Sequence, residues 1–319
     1  MHLSSTTFIL FLSLNLMFIS PAGAKIVFQS SYHGNPDIYT MSSYGHNLRR
    51  VTFKFGPETS PAWSPNGRLI AFKRMHNMQD VEIYVMNADG GNQRNLTNHP
   101  ALDSSPSWSP DGRIGFTSSR DGAWNIYVMD ADGSKVTPLT HHKRGEGFAA
   151  STNWSPDGAE IAFEQAKDGH GREIYILNVA SEVQRRLTDS EPRFVNFDPK
   201  WSPNGKRILY YVAINARVDD AFLMITDKDG RHHERVPVPE WDLNSGHSWS
   251  PSGREIVFSG REEGGHWEIY RFHLKTHKLT NLTTRLGMDI GADWWNSNLP
   301  VEPKDLYITR WGNIKSEGR

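Results

Sequence analysis

The 319-residue sequence contains no cysteine, so it can build neither a disulfide framework nor a thiolate zinc site. An excess of one charge is also missing. With 35 Lys and Arg against 36 Asp and Glu, the net charge of −1 gives no overall field to draw in nucleic acid or an anionic membrane. No apolar run reaches the roughly 20 residues of a spanning helix. The run from Phe8 to Ile19 falls short and is broken by Ser13 and Asn15. Behind it, Ala22-Gly23-Ala24 has the small-x-small pattern of a signal-peptidase site, although His2 is the only basic candidate ahead of the run. We therefore expect a cleaved signal peptide over 1–24, export to a periplasmic or extracellular space, and no membrane insertion afterwards. No Cys follows the leader, which excludes a lipid-anchored lipoprotein.

What the chain does have is a repeat. W-S-P-[D/N/S]-G occurs at Trp63, Trp108, Trp154, Trp201 and Trp249, with steps of 45, 46, 47 and 48 residues. Such a period falls among those of propeller blades. Counting on reaches Asp293-Trp294-Trp295, a sixth site that lacks the turn. Within the motif, Pro presets φ and Gly takes the left-handed position that closes a hairpin. The Trp before it ends a strand, where a flat ring fills the space between neighbouring sheets.

Three further strands recur in each module. The second reads Ile70-Ala71-Phe72, Ile161-Ala162-Phe163 or Ile256-Val257-Phe258, and the third Ile83-Tyr84-Val85-Met86 or Ile126-Tyr127-Val128-Met129. Asp-Gly turns such as Asp89-Gly90 then lead to a fourth strand ending in Leu-Thr, as at Leu96-Thr97 and Leu282-Thr283. These short β-branched and aromatic runs between turn residues are strand signatures. The expected fold is all-β: a six-bladed β-propeller over 25–295 built from four-stranded antiparallel blades. Residues from Lys25 onward supply only strands two to four of a blade. The first strand is expected near Asp289 to Trp295, so that the two ends of the mature chain share one blade. A C-terminal tail, 296–319, follows; its Leu306-Tyr307-Ile308-Thr309 is strand-like and suits an extra edge strand or a flap.

With W-S-P-D-G, I-A-F, I-Y-V-M, the D-G turn and L-T in this order, the chain resembles the six-bladed propellers of the TolB-like family over nearly all of Lys25 to Trp295. The resemblance implies a role in docking a protein or cell-envelope component, as in the Tol–Pal system. The chain departs from TolB itself in that its first blade follows directly on the leader, without an α/β domain.

In a four-stranded meander the tight W-S-P-x-G and D-G turns leave from one face and the longer, unequal loops from the other, where recognition usually sits. Five residues before each Trp stand Glu58, Asp103, Ala149, Asn196, Asn244 and Asp289. Placed around the channel mouth, Glu58, Asp103, Asn196, Asn244 and Asp289 would suit Ca²⁺ or a cationic partner group through oxygen ligands. The alternative is a solvated rim capping nearby backbone N–H groups. Trp124, Phe148, Phe194, Trp241 and Trp267 are candidate partner anchors on the long-loop side, against a role in packing between blades. Gly246-His247-Ser248-Trp249-Ser250 lacks the last Gly of a nucleophile elbow and lies where a first strand is required. The histidines, among them His141 and His247, share no ligand spacing. The leading expectation is an exported, non-enzymatic binding propeller. The rival is a metal-dependent polysaccharide lyase or glycoside hydrolase on the same scaffold, with channel carboxylates and His247 or His141 as acid, base or ligand.

Overall fold

The computed structural model describes residues 25–295 except 55, 167–170, 216 and 286, together with all their side chains but those of 218, 219 and 245. The expected leader and tail lie outside the described residues. Among those described, 24 strands form six four-stranded antiparallel sheets. Numbered in chain order, blades 1 to 5 have inner strands Glu58–Trp63, Asp103–Trp108, Phe148–Trp154, Phe194–Trp201 and Asp242–Trp249. Blade 6 is the composite blade. Its inner strand Asp289–Trp294 pairs with Lys25–Ser30, followed outward by Asp37–Ser42 and Arg49–Arg50. No blade is left incomplete, as the closure of the ring requires.

The W-S-P motif acts as its composition predicts. Gly67, Gly112, Gly158, Gly205 and Gly253 all have φ between 65° and 87°, and each donates its N–H to the Ser carbonyl three residues earlier at 2.8–3.0 Å. Each Trp packs into the gap shared with the preceding blade. Trp154 meets Ile126, Val128 and Leu139; Trp63 meets Val27, Ile38 and Val51 across the composite blade. The Leu-Thr motif also has a local cause: its Thr hydroxyl accepts from the third strand, as in Ile83 N–H to Thr97 Oγ1 (3.0 Å) and Ile269 N–H to Thr283 Oγ1 (2.9 Å). This explains the recurrence of Thr97 and Thr283 after Leu96 and Leu282.

Candidate functional site: the central channel

Every inner strand carries a bulge. Its pairing with the second strand slips between Thr59 and Ala62, Ser104 and Ser107, Ala150 and Asn153, Phe197 and Lys200, and Asn244 and Ser248. In the composite blade the slip falls between Val27 and Gln29, opposite Gly291. The residue three before each Trp then has a left-handed backbone: Ser60, Ser105, Ser151, Asp198, Gly246 and Gly291, with φ from 52° to 94°. Such a residue lets a strand bend and re-aim its neighbours. Here it turns the positions three and one before Trp toward the axis.

Those positions line a cavity of about 480 Å³ along the axis, reaching the prolines of the W-S-P turns. Among the described residues its ionisable lining is Glu164, Arg172, Asp198, Lys200 and Asp293. Lys200 Nζ lies 2.9 Å from Asp198 Oδ1, and Asp198 Oδ2 accepts from Gly246 N–H at 3.1 Å. Burial opposes the Asp198 charge, but Lys200 and the Gly246 N–H outweigh it and hold the carboxyl below its ordinary range. Burial likewise opposes the Lys200 charge, and Asp198 with Asp293 and Glu164 reverses the effect, raising it. Behind this pair His247 is fully buried, edge-on to Tyr211 at 4.5 Å, and burial drives its imidazole down to about 4.

Asp293 has a structural contact as well. Its Oδ2 accepts Trp63 N–H (2.8 Å) and its Oδ1 accepts Ser248 Oγ–H (3.2 Å), tying blade 6 to blades 1 and 5. Gln29 Oε1 adds a second tie by accepting Ser60 N–H at 2.8 Å. Trp295 takes the place of the missing sixth turn, its indole donating to Pro65 O at 3.0 Å.

The positions five before Trp sit elsewhere. In blades 1 to 4 and 6 the bulge adds one residue to the inner strand, so strand alternation carries these positions off the channel face, whereas blade 5 adds two between Asn244 and Ser248. Glu58, Asp103 and Asp289 are fully buried and each meets an arginine: Arg74 Nε at 2.8 Å, Arg120 Nη2 at 3.2 Å and Arg285 Nη2 at 3.5 Å. Those guanidiniums lie over Tyr84, Tyr127 and Tyr39. Asn196 donates to Glu173 and Ser190, both at 2.8 Å, and the Asn244 carbonyl accepts the Tyr211 hydroxyl. None of the five lines the cavity.

Of the aromatic candidates, Trp267 is buried beneath Arg261, while Trp124, Phe148, Phe194 and Trp241 are half-buried. Phe148 carries Arg172 at 5.0 Å, and Trp241 packs on Tyr270 at 4.8 Å. His141 is exposed, 3.9 Å from Glu182, whereas His247 is fully buried. Among the described residues no three His, Asp or Glu are grouped as a metal site. Sequence reasoning missed Asp198, Lys200, Asp293 and Glu164. For Asp198, Lys200 and Asp293 the signal was a second offset from the same Trp, three and one residues back; Glu164 comes from the second strand of blade 3 and has no such mark.

A family model described as the TolB beta propeller domain matches residues 56–246. The Tol-Pal system protein TolB of Francisella tularensis subsp. mediasiatica is 30% identical over 233 residues, covering 72% of this chain and 52% of that protein. The chain spans about half or less of the length of the curated relatives it matches. Among solved structures, TolB from Acinetobacter baumannii superposes with a TM-score of 0.72 at 23% identity, over 86% of this chain and 67% of that one. Hydrazine synthase of Kuenenia stuttgartiensis gives 0.73 at 16% identity, over 88% and 48%. At these identities the structural likeness is one of fold alone.

Proposed function

This chain belongs to the TolB β-propeller family, and on that premise we propose that it is an exported, non-enzymatic binding propeller. It receives a protein or cell-envelope component in its central channel, with the half-buried aromatics of the long-loop face as a second contact. One observation carries this reading: the axis holds a cavity of about 480 Å³ whose charges are concentrated in Glu164, Arg172, Asp198, Lys200 and Asp293. That volume lies within the range of pockets that bury a ligand group, and a few placed charges give such pockets their specificity. Glu58, Asp103 and Asp289 already hold guanidiniums, so neither rim occupant expected from the sequence, Ca²⁺ or a cationic partner group, is carried forward at those residues. Export rests on the leader at 1–24.

The test is capture. Chain immobilised by one end and exposed to an envelope extract should recover a component that also crosslinks to a photoreactive side chain placed at Ser105. Asp198→Asn combined with Glu164→Gln should release it. Recovery of nothing specific, or equal recovery by that double variant, contradicts the proposal.

A further inference from the structure

Among the described residues the cavity lining is short of positive charge. Three carboxylates, Glu164, Asp198 and Asp293, share it with two cations, Lys200 and Arg172. Lys200 is committed to Asp198 at 2.9 Å. Asp293 is met by neutral donors, the Trp63 N–H and the Ser248 hydroxyl. Lys73 occupies in blade 1 the strand position that Glu164 has in blade 3, but it does not line the cavity.

Glu164 supplies an independent indication. The residue is only 5% exposed, and its Oε1 accepts Ser151 Oγ–H at 2.8 Å. Its Oε2 accepts no hydrogen bond. Arg172 Nη1 forms a long ion pair with Oε2 at 3.5 Å, with its side chain 46% exposed and its guanidinium over the Phe148 ring. A buried carboxylate oxygen without a donor is costly, and each such atom in a native structure calls for an explanation. Burial accordingly pushes Glu164 above its ordinary range, and Asp293 likewise.

We propose that the channel takes a primary ammonium group of its partner, a lysine side chain or a free amino terminus, which donates to Glu164 Oε2 and restores the charge balance beside Asp293. An ammonium fits because it brings three donors on a narrow stem. This inference rests on the binding reading above and specifies its ligand chemistry.

Titration calorimetry of the whole chain with a capped pentapeptide holding one central lysine, and with its Nε-acetylated twin, separates the two. The lysine peptide is expected to bind, and the acetylated twin to bind about tenfold more weakly or worse. Glu164→Gln, which keeps shape and removes charge, should produce a similar loss with an unchanged melting temperature for the propeller. Equal binding of the twins, no binding of either, or an unaffected Glu164→Gln overturns the assignment. Calcium chloride that binds in the channel, and that the lysine peptide cannot displace, identifies a divalent cation instead and overturns it too. If an envelope component is captured through the channel while the twins behave alike, the binding reading stands and the ammonium inference falls.

Discussion

The two sides of the channel are built from one repeat and differ in chemistry. Blades 1 and 2 present Ser60, Ala62, Ser105 and Ser107; blades 3, 4 and 6 present Glu164, Asp198, Lys200 and Asp293. Backbone geometry does not distinguish the sides, since the left-handed bulge recurs in all six inner strands. The scaffold therefore fixes where a side chain meets the axis, and the identity of two residues per inner strand, joined in blade 3 by Glu164 of the second strand, decides what it does there. The charged side also holds the seam through Asp293, so the proposed binding site and the ring closure share a residue.

That difference can be broken at several points. The largest effect is expected from Gly246→Ser, which would give blade 5 the bulge residue of blade 1. Gly246 has φ of 94°, and a Cβ there would lie 2.0 Å from Gly291 Cα in the neighbouring inner strand. Strain and overlap together should cost about 3 kcal/mol or more, read as a lower urea midpoint with unchanged m. Next is the pH dependence of the charged side. His247 sits near 4 in the fold against 6.5 when free, so its contribution to stability is complete above about 6.5 and is lost as pH falls toward 4. The loss is on the order of 3 kcal/mol. Glu164 and Asp293, raised by burial, act in the opposite sense, so the measurement is the difference between wild type and His247→Asn across that window. The variant should flatten the fall.

Asp293→Ala should cost about 1–3 kcal/mol by leaving the Trp63 N–H without its acceptor, and chemical unfolding measures it directly. Lys200→Met leaves Asp198 without its cation; because both side chains keep some solvent contact, a loss of about 2 kcal/mol is expected, below that of a fully buried pair. Smallest is Ser60→Ala on the neutral side, expected within about 0.5 kcal/mol of wild type.

The architecture was legible because its determinants repeat. Trp, Pro, Gly, the Phe of strand two and the Thr of strand four are each required once per blade by sterics or by a hydrogen bond, so they recur at a period the eye can follow. The shared blade was legible for the same reason: Asp293-Trp294 kept the spacing after losing the turn, and its strand pairs with the one beginning at Lys25. The site was not legible. Plain alternation puts the positions five, three and one before Trp on one face, and on that basis Glu58, Asp103 and Asp289 belong at the rim. The bulge at Ser60 and its equivalents inserts one residue and reverses the phase, so those acids turn inward to arginines while Asp198, Lys200 and Asp293 reach the axis. Nothing in the Ser, Asp and Gly found at the bulge marks it in a single sequence, because all three tolerate both strand and turn.

In the proposed binding mode the charged side of the channel, and not the neutral side, holds the partner. The most direct measurement is the calorimetric affinity of the captured component for wild type, for Asp198→Asn with Glu164→Gln, and for Ser60→Ala with Ser105→Ala. The account predicts a loss of about tenfold or more in the first pair and a change within about twofold in the second. Equal affinities for the two pairs would contradict it.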